Sequence, residues 1–180
     1  PNWISPSTAF TMSVALGDID NDNKLELIQG NYRYPYTFPA GHPEALGESL
    51  NSTRIGSKIF AFHSNGKNLA AQLALTQINR CIDDIALADY DKDGDLDIAL
   101  GAVVGKGKDG GAWVLKNQFN ATQPIPRCSL FVDDGDPSHI WYCGASYDAH
   151  CVRWVDLDCD GDLDLAVLDV PVMIHFYENV

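Results

Sequence analysis

Three short stretches of the chain carry carboxylates at a spacing that could bind a metal ion. Each is nine residues long, with acids at positions 1, 3, 5 and 9, and they are named loop 1 (18–26), loop 2 (89–97) and loop 3 (156–164). They hold 14 of the 25 acidic residues of the chain and two of its 12 lysines and arginines. Carboxylates this dense repel one another unless a cation lies between them. The spacing therefore indicates the binding of a hard divalent cation.

Calcium is the cation that these loops predict, with loop 1 as the weakest of three sites. Ca²⁺ takes about six to eight oxygens, and alternating acids converge around it while a glycine at position 6 makes the sharp turn. Loop 1 has Asn23 in place of that glycine and Glu26 as its last acid. An EF-hand is excluded because its loop is longer and lies between helices. The predicted ligands are the carboxylates of Asp18, Asp20, Asp22, Glu26, Asp89, Asp91, Asp93, Asp97, Asp156, Asp158, Asp160 and Asp164, with the position-7 carbonyls of Lys24, Asp95 and Asp162.

The segments that flank each loop are short and apolar. They are too short for helices and rich in Val, Ile and Leu, so each loop is predicted to join two β-strands. The loops recur with periods of 71 and 67 residues. A strand-based repeat of this length indicates a propeller or a solenoid.

Three segments beside the loops carry a resemblance to a known family. Residues 10–18 (FTMSVALGD), 97–102 (DIALGA) and 111–115 (GAWVL) resemble FG-GAP/VCBS repeats, the calcium-binding blades of integrin-α-like β-propellers and of many secreted lectin-like and adhesive proteins. The resemblance covers essentially the whole chain. The segment that corresponds to GAP reads GNY at 30–32 and is absent after Leu168. The resemblance implies an all-β fold of four-stranded antiparallel blades.

One propeller-type domain is therefore predicted over residues 1–180, with three blades. Blade 1 covers about 13–77, blade 2 about 84–133 and blade 3 about 151–180. The strands are predicted near 13–19, 25–32, 57–64, 69–77, 84–90, 96–104, 111–118, 128–133, 151–157, 163–169 and 172–178, with a hairpin turn at Asn65-Gly66. Three blades cannot close a ring, and blade 3 lacks an outer strand. We expect self-association or other chains to complete the propeller, with residues 2–11 of a neighbouring unit supplying that strand.

Two long connections, 31–56 and 134–150, are expected to lie on the face opposite the calcium loops. In an up-and-down blade, alternate turns lie on the same face. The two long connections and the shorter 105–111 are therefore expected together on the face opposite the calcium loops. They concentrate aromatic side chains outside strands, which favours recognition of a glycan or a protein. The alternative is that these rings only pack the connections onto the blades. The candidates for this ligand face are Tyr32, Arg33, Tyr34, Tyr36, His139, Trp141, Tyr142 and Tyr147.

The predicted function is that of a calcium-stabilised extracellular recognition or adhesion module. One alternative is a structural subunit of an extracellular fibre or composite assembly. The other, on family grounds, is the propeller part of a secreted lyase or dehydratase, for which His139, Asp148 and His150 would be the candidates. No motif for nucleophilic or metal-dependent catalysis is present, so the main prediction assigns no catalytic residue.

Charge and composition restrict which binding partners and which cellular compartment are expected. The net charge of −13 argues against a nucleic-acid partner, and no apolar run reaches the ~18 residues of a membrane helix. Five cysteines together with calcium loops favour an oxidising, extracellular compartment. We expect Cys143 to pair with Cys128 or Cys151, with Cys159 as the odd thiol. Asn51 and Asn120 lie in glycosylation sequons.

Overall fold

The structure is a computed structural model and describes residues 10–32, 57–64, 69–78, 81–103, 111–117, 131–133, 148–170 and 173–179. These residues form eleven β-strands and no helix, so the predicted all-β class is confirmed. The described residues therefore contain no helix that is long and apolar enough to cross a membrane.

The strands form three antiparallel sheets, in each of which consecutive strands are neighbours. Sheet I consists of β1 (Phe10–Gly17), β2 (Glu26–Tyr32), β3 (Ser57–Ser64) and β4 (Leu69–Ile78). Sheet II consists of β5 (Cys81–Ala88), β6 (Asp97–Val103), β7 (Gly111–Asn117) and β8 (Phe131–Asp133). Sheet III consists of β9 (Asp148–Val155), β10 (Asp164–Val170) and β11 (Met173–Tyr177). Every predicted strand is present in its predicted sheet, and sheet III has three strands among the described residues.

The first strand of each sheet begins three residues earlier than predicted and ends two residues earlier. The early part of the strand precedes a register shift, a β-bulge that leaves Met12, Asp83 and His150 as the extra residue in β1, β5 and β9. A bulge inserts one residue and breaks the alternation of apolar and polar side chains. The alternation that predicts the strand therefore holds only after the bulge, although the strand itself begins before it.

The core lies between the sheets, which stack in the order I, II, III. Ile28 and Ile59 of sheet I pack with Ile82, Ile85, Ile98 and Leu100 of sheet II. On the other side of sheet II, Ala99, Ala112 and Val114 pack with Ala149, Val152, Leu165 and Val167 of sheet III. β6 thus alternates its side chains between two cores, and sheet II is covered on both faces. The first strands β1, β5 and β9 are neighbours along one edge of the stack.

Glycines in the GAP-like segments allow the sheets to approach closely. A Cβ on Gly30 would lie 2.7 Å from Cδ1 of Ile85, and one on Gly101 would lie 2.9 Å from the carbonyl oxygen of Ala149. Both contacts are too short, so a side chain would push the sheets apart. The corresponding residue of sheet III is Leu168, which is 37% exposed. Among the described residues the contacts between sheets run from I to II and from II to III, so these three sheets form an open stack and not a closed ring.

Candidate metal centres

The three acidic loops each join the first strand of a sheet to its second, and all three lie at the same end of the stack. In each loop one oxygen from each of three carboxylates lies within 4.8 Å of the others. The triads are Asp18, Asp20 and Asp22; Asp89, Asp91 and Asp97; and Asp156, Asp158 and Asp164. The structure therefore brings together nine of the twelve carboxylates predicted as ligands. Glu26, Asp93 and Asp160 belong to the same loops but not to these triads.

A shared set of backbone hydrogen bonds shapes the loops. The N–H at position 6 donates to the position-1 carboxylate in each, from Asn23 to Asp18 at 2.8 Å, from Gly94 to Asp89 at 3.1 Å and from Gly161 to Asp156 at 3.2 Å. The N–H at position 7 likewise donates to the position-5 carboxylate in all three loops. These bonds turn the backbone around the carboxylates, so the side chains that could bind a metal also hold the loop in shape.

Two residues in each loop adopt a left-handed backbone. At position 6 the φ angles are +65° at Asn23, +97° at Gly94 and +95° at Gly161, which agrees with the turn predicted there. Position 4 is left-handed too, with φ of +54° at Asn21, +59° at Lys92 and +65° at Cys159. Only Asn21 has a residue type suited to this conformation, so residue type does not predict it at Lys92 or Cys159.

The position-9 carboxylates are buried, and in loop 2 this leaves an oxygen without a hydrogen bond. Asp97 is fully buried, and its Oδ1 accepts a bond from the N–H of Asn117 at 2.7 Å. Within the described part of the chain its Oδ2 has no hydrogen-bond partner, and neither does Oδ1 of Asp89. Burial raises the pKa of Asp97 to about 7. A buried carboxylate oxygen without a partner is unfavourable, and a cation bound by the loop 2 triad would satisfy it.

Burial and the charge of Asp93 also raise the pKa of Asp95 to about 7. Asp95 stands at position 7, where only its carbonyl was predicted to be a ligand. Its carboxylate thus adds a further negative charge to a loop that is already crowded with them. Both raised pKa values have the same meaning: without a cation, full ionisation of the loop 2 carboxylates is unfavourable.

Two asparagines that the sequence analysis missed connect neighbouring loops. Asn117 and Asn179 each donate a backbone N–H to the position-9 carboxylate of their own sheet, at 2.7 Å to Asp97 and 2.9 Å to Asp164. Their side-chain amides donate to position 2 of the preceding loop, at 2.9 Å to the carbonyl of Ile19 and 3.2 Å to that of Tyr90. The signal was an Asn two residues after Leu115 in sheet II and after Tyr177 in sheet III, visible only when the third strands of these two sheets are aligned.

Lysines contact the acidic loops. The Lys116 ammonium binds the Asp91 carboxylate and lies 3.3 Å from Oδ2 of Asp93. In loop 1, Lys24 Nζ lies 2.6 Å from Oδ2 of Asp22. Lys92 of loop 2 pairs with Asp162 of loop 3. The amide of Asn21 donates to the carbonyl of Gly94 at 3.3 Å, which places loops 1 and 2 side by side as well.

A polar cluster also joins the three first strands. Ser13 Oγ donates to Asp84 at 3.1 Å, and Asp84 accepts further bonds from the N–H of Val152 at 3.0 Å and from Arg153. Burial alone would raise the pKa of Asp84, but the hydrogen bonds from Val152 and Arg153 and the charge of Arg153 outweigh it, and the pKa is lowered. Burial, together with Asp84, raises the pKa of the Cys151 thiol. The cluster therefore tethers the sheets and keeps that thiol protonated.

Of the three enzyme candidates, two lie in β9. His150, the bulge residue, contacts Asp83, the bulge residue of β5. Asp148 stands opposite Val170 in the β9–β10 ladder. His139 lies outside the described residues, so the described part of the chain does not assemble the three.

Most of the predicted ligand face lies outside the described residues. Only Tyr32 is included, at the end of β2. Arg33, Tyr34, Tyr36, His139, Trp141, Tyr142, Tyr147, Asn51, Asn120, Asn65, Gly66, Cys128 and Cys143 fall in the remainder. Cys151 and Cys159 are free thiols. The alternative in which Cys151 pairs with Cys143 is thus not found, and Cys159 is unpaired as predicted.

No family model matches the chain, and no curated protein shows significant sequence similarity to it. Its class is set by the fold and the site: an all-β protein of stacked antiparallel sheets with three acidic loops that could hold metal ions.

Proposed function

We propose that the chain is a calcium-stabilised part of a β-propeller of the FG-GAP/VCBS type, in which sheets I, II and III are blades. The observation that carries this proposal is the loop 2 triad, where the buried Asp97 and the neighbouring Asp89 each present an oxygen that has no hydrogen-bond partner within the described residues. The face-to-face stacking of meandering sheets, with the first strands adjacent along one edge, is the arrangement of propeller blades around an axis.

Calcium suits these loops better than magnesium. The predicted donors are carboxylates and a backbone carbonyl, and Ca²⁺ accepts irregular coordination by many such oxygens. Mg²⁺ demands near-ideal octahedral geometry and keeps several waters, so it is bound by fewer protein carboxylates. Loop 2 also contacts both loop 1 and loop 3, so calcium in each loop would stabilise the same end of the three sheets.

Recognition is proposed for the opposite end, and the strand directions support this placement. β2 runs away from loop 1 and ends at Tyr32, and β3 begins beside it at Ser57. β9 begins at Asp148, opposite Val170 and so at the far end from loop 3. β8 runs away from loop 2, although its last residue, Asp133, still stands opposite Leu115 near that loop. Residues 31–56 thus leave and re-enter sheet I at the end without metal loops, and residues 134–150 re-enter sheet III at that end. We propose that they bind a glycan or an extracellular protein through the aromatic candidates given above.

A glycan array tests this recognition. Trp141→Ala should abolish binding while the melting temperature and the far-ultraviolet circular dichroism stay those of the unaltered chain. Asp160→Asn, at the metal end, is the matched control: it should lower the melting temperature in calcium and leave the binding unchanged. Binding that survives Trp141→Ala, or that follows Asp160→Asn instead, would contradict the placement of the ligand face.

A second candidate, a structural subunit of an extracellular assembly, is favoured by the exposed apolar residues at both ends of the stack. Met12, Val14 and Leu16 of β1 are 55–64% exposed, and Ile174 and Phe176 of β11 are 64% and 53% exposed. Apolar surface of this kind is typical of contacts with another chain. Phe10 and Thr11 belong to β1, so the donor strand proposed from residues 2–11 shortens to 2–9, outside the described residues.

Sedimentation velocity decides whether the stack is completed by further copies. Association that Ile174→Lys abolishes would support the assembly, because a charge on the exposed edge strand β11 disfavours pairing with another strand. Gln77→Lys, in β4 of sheet I, is the control and should leave association intact. A monomer at all concentrations would remove the second candidate.

A further inference from the structure

Loop 2 has a lysine beside it that comes from another strand. Lys116, the penultimate residue of β7, binds the carboxylate of Asp91 and lies 3.3 Å from that of Asp93, positions 3 and 5 of the loop. The β7–β8 ladder fixes its backbone, where it stands opposite Val132, and the next residue, Asn117, holds Asp97. Its side chain is 37% exposed, so it is partly enclosed by the site. The position of this cation is therefore set by the sheet and not by the loop itself.

The equivalent residue beside loop 3 has the opposite charge. In sheet II the residue after the position-9 acid, Ile98, stands opposite Leu115, and in sheet III the corresponding Leu165 stands opposite Tyr177. Lys116 and Glu178 are the next residues, and Asn117 and Asn179 follow with matching hydrogen bonds. Glu178 is exposed. The same place in the fold is thus occupied by a cation at one loop and an anion at the next.

We infer that Lys116 is a built-in competitor of calcium at loop 2. Its ammonium neutralises Asp91 and Asp93 when no calcium is bound, and it must withdraw from them when calcium takes their oxygens. This inference rests on the proposed calcium site. A unit positive charge a few ångströms from a doubly charged ion opposes binding by about tenfold, even with strong solvent screening. Lys116 therefore keeps loop 2 folded at low calcium and raises the calcium concentration at which the loop fills.

Calcium titration of the ¹⁵N-labelled full chain tests this inference, because the amides of Gly94 and Gly161 at position 6 report on loops 2 and 3 separately. Lys116→Gln should lower the calcium midpoint at Gly94 by about tenfold and leave that at Gly161 unchanged. Lys116→Arg keeps the charge and should keep the midpoint of the unaltered chain within about threefold. Glu178→Gln is the matched control, and it should raise the midpoint at Gly161 alone.

An unchanged or raised midpoint at Gly94 in Lys116→Gln, in a chain that does bind calcium, overturns the inference and leaves the proposed function standing. No response of either glycine in the unaltered chain overturns both. If Lys116→Gln unfolds without calcium, the same midpoint is measured by removing calcium from the loaded variant with a chelator of known affinity.

Discussion

Loops 2 and 3 share one nine-residue pattern but stand in different surroundings. Asp89 and Asp91 are half-buried and Asp97 is fully buried, whereas Asp156 and Asp158 are exposed. Loop 2 lies in the middle of the stack, with Asn21 of loop 1 on one side and Asn179 of sheet III on the other. Lys116 adds a counter-charge. The lysine that pairs with loop 3, Lys92, contacts Asp162, whose carboxylate is not among the predicted ligands. The comparison shows that position in the stack, and not the motif, sets the electrostatics of each site.

The largest expected effect is the loss of calcium from all three loops. Each site at tenfold saturation stabilises the folded chain by about 1.4 kcal/mol, so three sites contribute roughly 4 kcal/mol. For a chain of this size that shift corresponds to roughly 10 °C in melting temperature. Calorimetry with excess calcium and with excess chelator measures it. Equal melting temperatures in calcium and in chelator would contradict stabilisation by calcium at loops 2 and 3 alike.

Removing the asparagine amides should affect loop 2 more than loop 3. Asn117→Ala loses two side-chain bonds, at 2.9 Å to the carbonyl of Ile19 and 3.1 Å to that of Leu96, in a site that is 1% exposed. We expect it to cost about 2 kcal/mol in the free energy of unfolding. Asn179→Ala loses a bond at 3.2 Å in a half-buried site and should cost about 1 kcal/mol. Urea denaturation of both variants checks the order, and equal losses would mean that burial does not distinguish the two loops.

The stability of the calcium-free chain should fall as the pH rises from 5 to 8. Folding raises the pKa of Asp95 and Asp97 from 3.8 to about 7, so the folded chain binds protons that the unfolded chain has released. That stabilisation is present at low pH and is lost as the pH passes 7. With saturating calcium, which requires the ionised carboxylates, the trend should reverse. Thermal melts at four pH values, with chelator and with calcium, test both signs, and Asp97→Asn should flatten the calcium-free trend.

A smaller effect is expected at position 4, where loop 3 has the least suitable residue. Cys159 adopts φ of +65°, and Asn, which tolerates this conformation, stands at the same position in loop 1. Cys159→Asn should therefore stabilise the chain by about 0.5 kcal/mol, while Cys159→Val should destabilise it by about 1 kcal/mol. Chemical denaturation under reducing conditions separates this backbone effect from thiol oxidation.

The local features of this fold could be predicted from the sequence. Alternating acids, a glycine at position 6 and apolar flanks are short-range patterns, and they located the loops and every strand. The bulges at Met12, Asp83 and His150, the bonds of Asn117 and Asn179 and the contact of Lys116 all depend on strand register and on the stacking of sheets. Those relations join residues far apart in the chain, and nothing in a single local window encodes them. The difference between loops 2 and 3 likewise depends on the stacking of the sheets, so the local sequence does not predict it.

The number of calcium ions that the chain binds is the most direct test of the account. Equilibrium dialysis against ⁴⁵Ca should give about three ions per chain, because each loop has the ligands of one site. Asp89→Asn combined with Asp97→Asn, and Asp156→Asn combined with Asp164→Asn, should each remove one ion and leave two. A chain that binds no calcium at millimolar concentration, or that retains all its ions in both double variants, would contradict the assignment of the loops as calcium sites.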